Sequence, residues 1–298
     1  MTARRPDALL FRIAEVHRLP TVPAVLNPLL RYLELPAGQI DVLKVTEIIA
    51  QDKSLAAQCL QLANSPLFGR WQKVESLKAA VMDLGIQRVT DIAVSCSILN
   101  MMPEPGGIDA VAFWEHSLGC ALVCRHLARK ISYPDPGKAY LAGLLHDLGI
   151  VVNLCLLPKE FRDAFELARA EGVPLHEAEQ SVQGFTHCDS GRILAERWDL
   201  PADLQSAISL HHSICDSSPH AGLVALVELS DLLCRLSGLN HGYIERREVN
   251  LVTQPAFAVL SSLCPAVNDL DWARLTFELE SYLDEVDSLV RAIYRRRW

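Results

Sequence analysis

His146 and Asp147 stand side by side inside AYLAGLLHDLGIVVN, Ala139–Asn153, a run whose Leu141, Leu144, Leu145 and Leu148 recur at helical spacing. A core helix gains nothing by burying an imidazole and a carboxylate without partners, and the cost runs to several kcal/mol. A divalent metal satisfies both at once. Further polar residues intrude elsewhere in the second half: His116, His187, the pair His211-His212, and Asp231 beside Leu232 and Leu233. Apart from the adjacent pairs, each falls on or at the end of a different predicted helix, and a helical bundle can aim such side chains into one interior site. Imidazole and carboxylate donors together suit iron, manganese, zinc or nickel better than calcium or magnesium. Seven such residues exceed what one ion uses, so the set points to two ions bridged by Asp147. The alternative is an inert core in which these residues hydrogen-bond to one another. His17, His126, His176, His220 and His241 have no such company and read as solvent-facing or capping residues.

Helical periodicity supplies the frame for these side chains. Residues 1–18 read as a short amphipathic helix, broken by Leu19-Pro20-Thr21-Val22-Pro23. A second helix runs through Val25, Leu29, Leu30 and Leu33 to Pro36-Ala37-Gly38, and a third begins after Asp41. Asp52 is placed to cap a fourth near Lys53, which stops at Asn64-Ser65-Pro66. Ser76–Leu84 closes at Gly85, and Val89–Leu99 follows. The best linker is Pro103-Glu104-Pro105-Gly106-Gly107. Beyond it, Phe113–Ile131 carries His116, and Pro134-Asp135-Pro136-Gly137 turns into the His146 helix. Lys159–Glu171, Leu175–Phe185, Gly191–Trp198, Ala202–His211 and Ala221–Leu236 complete a bundle, and Leu275–Tyr294 is a closing amphipathic helix. Strand signals are almost absent, so the fold class is all-α. The expected division is an N-terminal helical part over 1–105, a metal-site bundle over 106–238 and a helical extension over 239–298. The extension's amphipathic pattern suits a cover for an apolar face of the bundle.

Composition narrows the function classes. The 298 residues are 50% hydrophobic, 6% aromatic and 21% charged, which suits a helical protein with a sizeable core. A net charge of -8 and a pI near 5.7 argue against a nucleic-acid partner, and Arg295-Arg296-Arg297 is the one basic cluster. Nine scattered cysteines without CxxC spacing suggest neither a disulfide framework nor a zinc ribbon. Cys188 beside His187 is among them, and all read as small buried hydrophobes in a reducing compartment. Arg4 and Arg5 lead into no long apolar region and no run approaches bilayer length, so a cytoplasmic protein with no membrane partner is expected.

The order His…His-Asp…His…His-His…Asp resembles the HD superfamily of metal-dependent phosphohydrolases, particularly its HD-GYP phosphodiesterase branch. The N-terminal half is similar to something narrower. Leu19-Pro20-Thr21-Val22-Pro23, Asp52-Lys53-Ser54-Leu55 and Leu62-Ala63-Asn64-Ser65-Pro66-Leu67-Phe68-Gly69 resemble the signature of HDOD domains, the HD-related output domains of bacterial signalling proteins. Trp198-Asp199-Leu200-Pro201 and His211-His212 fit as well. The resemblance implies an N-terminal helical subdomain packed on an HD-like bundle. It implies that His116, His146, Asp147 and Asp231 hold one metal, with Asp147 bridging to a second held by His187, His211 and His212. In an active enzyme Asp147 would be catalytic, and the bridged water would attack a phosphodiester phosphorus.

Two departures bear on activity. The HD-GYP pattern has a lysine three residues after the aspartate, able to contact substrate phosphate, where this chain has Ile150. The Gly-Tyr-Pro loop expected after His211-His212 is replaced by Ser213-Ile214-Cys215-Asp216-Ser217. Members of the HDOD type are commonly regarded as non-catalytic, many having lost ligands that this chain keeps. The expectation is therefore a signalling or regulatory module with a divalent transition-metal site, acting through a protein partner or a small ligand. The competing expectation is a metal-dependent phosphohydrolase or phosphodiesterase acting on nucleotides or cyclic dinucleotides.

Overall fold

Apolar residues at helical spacing dictate the architecture, and every regular element among the described residues is a helix. The computed structural model describes residues 13, 19–33, 39–64, 74–99, 101, 108–215 and 217–294. The expected helix over 1–18, apart from the helical Ile13, lies outside these residues, as do the Pro36–Gly38 stop, Ser65–Gly69, the Pro103–Gly107 linker and the Arg295–Arg297 cluster. The chain forms two compact units. One comprises Thr21–Met102 and Glu285–Trp298, the other Met1–Pro20 and Pro103–Asp284.

The first unit contains α1 (Leu26–Leu33), α2 (Val42–Ala50), α3 (Lys53–Ala63), α4 (Leu77–Leu84) and α5 (Ile86–Leu99). Short polar side chains start these helices by accepting from otherwise unpaired backbone N–H groups. Asp41 accepts from Leu43, Asp52 from Ser54 and Leu55, and Ser76 from Ala79. Asn64 closes α3 and then holds the chain ten residues on. Its Nδ2 donates to the Val74 carbonyl at 2.8 Å while its Oδ1 accepts from the Val74 N–H at 2.7 Å.

The second unit is a bundle of α6 (Ala110–Lys130), α7 (Pro136–Leu145), α8 (Leu148–Leu156), α9 (Pro158–Glu171), α10 (Leu175–Gln183), α11 (His187–Arg197), α12 (Ala202–Leu210), α13 (Ala221–Leu236) and α14 (Pro255–Leu263). It also takes in the start of α15 (Trp272–Tyr294). Within it α6 packs along α7 and α13, while α8 packs on α11. The indole N–H of Trp198 donates to the Pro20 carbonyl at 2.9 Å, joining two of the phrases singled out in the sequence. The segment after residue 238 belongs to this unit as far as Asp284. The reason is apolar: Ala256, Val259 and Leu260 of α14 are buried, and α14 lies on α13.

Three local outcomes differ from the sequence reading. The helix expected to run unbroken through Ala139–Asn153 is interrupted at His146-Asp147, where Asp147 adopts φ −95° and ψ 12°. The His146 ring donates to the Gly143 carbonyl at 2.8 Å, a carbonyl that a continuous helix reserves for the Asp147 N–H. His187 is the first residue of its helix rather than preceding it, because Thr186 and Asp189 form a reciprocal capping box there. Finally, Pro136–Leu156 is long and apolar enough to cross a membrane, with a mean hydropathy of 1.6, contrary to the expectation of no such run. It is 89% buried within the protein, and a helix pair enclosed on all sides has no polar face to keep.

The crossing of α8 and α11 depends on a missing side chain. A Cβ at Gly149 would sit 1.8 Å from the His187 carbonyl oxygen and 2.7 Å from the Gly191 nitrogen. Backbone cannot step aside as a side chain can. Gly149→Ala is therefore expected to cost about 3 kcal/mol or more in denaturant unfolding. Gly191→Ala, which first meets the Ile208 Cγ2 methyl at 2.7 Å and backbone only at 3.3 Å, is expected to cost less; equal losses would show that the α8–α11 contact does not set the spacing.

Candidate metal centre

The centre is built around Asp147, whose carboxylate is 2% exposed and faces imidazoles with both oxygens. Its Oδ1 lies 3.2 Å from His187 Nε2 and 3.6 Å from His211 Nε2. Its Oδ2 lies 3.2 Å from His146 Nε2, 3.5 Å from His116 Nε2 and 2.8 Å from His241 Nε2. Asp231 adds Oδ1 at 3.3 Å from His116 Nε2 and Oδ2 at 3.9 Å from His212 Nδ1. All seven residues expected from the sequence therefore meet in one place, supplied by α6, the α7–α8 junction, the first residue of α11, the end of α12 and the middle of α13.

Four of the imidazoles are held by the nitrogen that faces away from Asp147. His116 Nδ1 donates to the Leu239 carbonyl at 2.8 Å, and His146 Nδ1 to Gly143. His211 Nδ1 faces the Ala207 and Ile208 carbonyls at 3.1 and 3.0 Å, and His187 Nδ1 meets Glu179 Oε2 at 2.7 Å. Because carbonyl and carboxylate oxygens can only accept, each Nδ1 carries the proton. The Nε2 atoms then face one another in pairs, at 3.3 Å for His116 and His146 and 3.3 Å for His187 and His211. Neutral rings so arranged oppose lone pair to lone pair. The contact becomes favourable when a proton or a cation lies between them.

The spacing fits a cation. With metal–nitrogen bonds of about 2.1 Å, adjacent donors stand about 3.0 Å apart on an octahedron and about 3.4 Å apart on a tetrahedron. The donors divide into two groups that Asp147 joins. His116, His146, Asp231 and His241 lie towards its Oδ2 side, and His187, His211 and His212 towards Oδ1. Cys120 Sγ is 3.5 Å from His116 Nε2 and groups with His116, His146 and Asp231 as a further potential donor, with burial pushing its thiol well up in the metal-free protein.

A second layer orients these ligands. Glu179 is fully buried and accepts from both the backbone N–H and Nδ1–H of His187 through one oxygen. Its other oxygen accepts from Asn153, which in turn accepts from the Ser190 hydroxyl at 2.6 Å. Arg235 clamps Asp231 with two bonds, at 2.9 and 2.8 Å, and its Nη1 reaches both oxygens of Glu245. Such partners fix ring orientation and ligand basicity at metal sites. Glu179 escaped the sequence reading although it shares the inward stripe of α10 with Leu175 and Ala178, the same kind of intruder as Asp231.

Electrostatics match the geometry. Burial opposes the charged forms, but the imidazoles around Asp147 and the Arg235 guanidinium beside Asp231 hold both carboxyls well below the usual carboxylate range. Burial would lower His116, and Asp231 together with Asp147 overcomes it to raise the ring to about 9. His211 is raised to about 10 against burial by Cys188 and Asp147. Cys188 itself falls to about 6 because His211 and His187 outweigh its burial. His146 and His212 are lowered by burial.

Three histidines expected to be ordinary surface or capping residues are not. His241 is 7% exposed and joins the centre. His176 stacks on His212 with ring centroids 4.1 Å apart, beside the ligand that reaches furthest towards solvent, at 14% side-chain exposure. His126 lies away from the centre between Glu278 and Tyr282, at 3.0 Å from each. His220 sits ahead of α13, in a left-handed conformation.

The HDOD domain model matches residues 19–214. The chain belongs to the HDOD family. An HDOD domain protein of unknown function from Geobacter sulfurreducens is 28% identical, with a TM-score of 0.81 over 97% of this chain and 99% of the other. A candidate signal-transduction protein from Marinobacter aquaeolei is 21% identical, with a TM-score of 0.78 over 97% of this chain and 65% of the other. A candidate phosphohydrolase from Shewanella amazonensis, also 21% identical, has a TM-score of 0.70 over 96% and 98%. At that identity the last two share the fold. An uncharacterised protein of Treponema pallidum is 25% identical over 68% of this chain, which spans 38% of that protein's length. The HDOD match takes in His116, His146, Asp147, His187, His211 and His212, while Asp231 and His241 lie beyond it.

Removing the Glu179 carboxylate leaves two buried donors of His187 unpaired. Glu179→Ala is expected to weaken metal binding about 10- to 100-fold in competition with a chromophoric chelator; unchanged affinity would exclude His187 as a ligand. With pKa values of about 9 and about 10, His116 and His211 are protonated at neutral pH in the metal-free protein. A cation must displace those protons, so affinity should rise with pH and calorimetry in buffers of unequal ionisation enthalpy should register proton release. Binding without release would place the ions elsewhere.

Proposed function

We propose that this HDOD protein is a regulatory module of bacterial signal transduction built around a centre for two divalent transition-metal ions. It acts through a protein partner or a small ligand rather than by turnover. His116, His146, Asp147 and Asp231 would hold one ion, and Asp147, His187, His211 and His212 the other. Their mixed imidazole and carboxylate donors fit iron, manganese, zinc or nickel. Ions bound there supply Lewis acidity and lower the pKa of coordinated water. The nine cysteines are all free thiols, in keeping with a cytoplasmic setting.

The observation that carries the regulatory reading is depth. His116, His146, His187, His211, Asp147 and Asp231 are each at most 2% exposed. Ile150, at the position where the HD-GYP pattern has its phosphate-contacting lysine, is fully buried. A phosphodiester would have to reach the ions past His212 and His176 with no cation at Ile150 to receive it. The second reading, a metal-dependent phosphohydrolase acting on nucleotides or cyclic dinucleotides, is favoured by the complete ligand series and by Asp147 facing both groups of donors, and Asp147 would then be catalytic.

Metal analysis of untagged protein purified without chelator tests the proposal. About two transition-metal ions per chain are expected, lost in His146→Ala/Asp147→Ala, with no turnover across nucleotides and cyclic dinucleotides. Absence of metal would overturn the centre. Robust hydrolysis that disappears in the double variant would replace the regulatory reading with the phosphohydrolase.

A further inference from the structure

Leu239–Arg247 crosses the Oδ2 side of the centre without helical structure of its own. Gly238 and Gly242, both at φ 90°, bracket its first turn, and a left-handed backbone of this kind favours glycine. Between them the Leu239 carbonyl accepts from His116 Nδ1, and Asn240 Oδ1 accepts from the Gly242 N–H at 3.0 Å. The Leu239 side chain packs against Gly119 of α6, where a Cβ would stand 2.4 Å from Leu239 Cδ1. Further along, the Tyr243 hydroxyl donates to the Val173 carbonyl at 3.0 Å, and Glu245 receives Arg235. The Arg246 N–H donates to the Gly172 carbonyl at 2.8 Å. A loop anchored at so many points holds its side chains as firmly as a helix does.

What this segment delivers is His241. Its Nε2 stands 2.8 Å from Asp147 Oδ2, its ring centroid 4.3 Å from that of His116, and it is 7% exposed. His116, Asp147 and His241 form a group of donors of the size that surrounds one ion. We propose that Leu239–Arg247 is a strap that supplies His241 as a further ligand to the ion held by His116, His146 and Asp231, closing the position that a phosphate or phosphoester would take. This rests on the reading of the cluster as a metal centre. His241 would then add an imidazole nitrogen beside His116 and Asp147, on the side of the centre that His146 and Asp231 also face. A shell so filled would leave room for a single water and none for a phosphate beside it, whereas a hydrolytic centre needs places for both substrate and water. The strap lies beyond the part of the chain that matches the HDOD model, which ends at residue 214.

Cobalt(II) reports this directly, since its visible absorption strengthens as coordination number falls. Wild type, His241→Ala and Glu245→Gln would be loaded with cobalt(II) and titrated with inorganic phosphate. Wild type is expected to show weak bands that phosphate leaves unchanged. His241→Ala is expected to show stronger bands, cobalt affinity lower by about tenfold, and a spectral response to phosphate at concentrations at least about tenfold below any seen in wild type. Should His241→Ala not fold, Glu245→Gln, which loosens the strap and leaves every donor in place, is expected to shift the same bands in smaller measure. Cobalt binding with identical spectra and phosphate response in wild type and a folded His241→Ala would overturn the strap while leaving the metal centre intact. So would an unshifted Glu245→Gln where His241→Ala does not fold. No cobalt binding in wild type would remove the metal centre and the strap together.

Discussion

A carboxylate at 2% exposure in the middle of an apolar bundle has few ways to exist, and Asp147 governs this fold for that reason. Stripping such an ion of water costs several kcal/mol even after relaxation, so the surrounding chain must return that energy through cations or N–H donors. Imidazoles do so here because each can present one nitrogen to Asp147 while the other is tied down. The ties are the Leu239, Gly143, Ala207 and Ile208 carbonyls and the Glu179 carboxylate. Each tie fixes a helix end or a loop in turn. The break between α7 and α8 places Asp147, and the contact at Gly149 brings His187 to it. Packing and charge compensation are thus one constraint seen from two sides.

Protons and metal ions compete for the same atoms in this arrangement. Asp147 and Asp231 are held ionised, with Arg235 as a permanent cation against Asp231. In the metal-free protein the rest of the compensation comes from His116, His187 and His211, all raised above the ordinary imidazole value despite burial. A divalent ion bound there would replace those protons while the Nδ1 bonds, which point away from the centre, keep holding the rings. The rings are thus oriented before any ion arrives.

The sequence made the fold class and the seven principal residues legible for a common reason: periodicity. Apolar spacing marks helices, and a polar residue that interrupts it marks a site. The Asp52 cap and the Gly85 stop followed from local chemistry and hold in the structure. Glu179 obeys the same rule on α10 and was readable in principle. His241 was not, since a turn-rich segment has no period to violate and its side chain is aimed by anchors at residues 119, 172, 173 and 235. The break at His146-Asp147 was hidden because the leucine spacing runs straight through it. The unit boundary near residue 284 was not readable, because it falls inside a continuous amphipathic helix where tertiary packing leaves no mark in composition.

Keeping the ligands does not require turnover. Removing one partner from a buried, mutually compensated set leaves an uncompensated charge, at a cost of about 3–5 kcal/mol. That is a large fraction of the stability of an ordinary domain. Asp147, Asp231 and the imidazoles that carry charge beside them are therefore held in place by folding whether or not a phosphoester is ever hydrolysed. The positions that decide activity lie outside this mutual arrangement: Ile150, buried where a substrate cation would be needed, and the residues after His212. At the exposed Ser213 and Cys215 a change costs little stability, whereas a cation placed at the fully buried Ile150 would cost several kcal/mol. A complete ligand series is thus compatible with the regulatory reading, and what bears on turnover is the depth at which the centre lies.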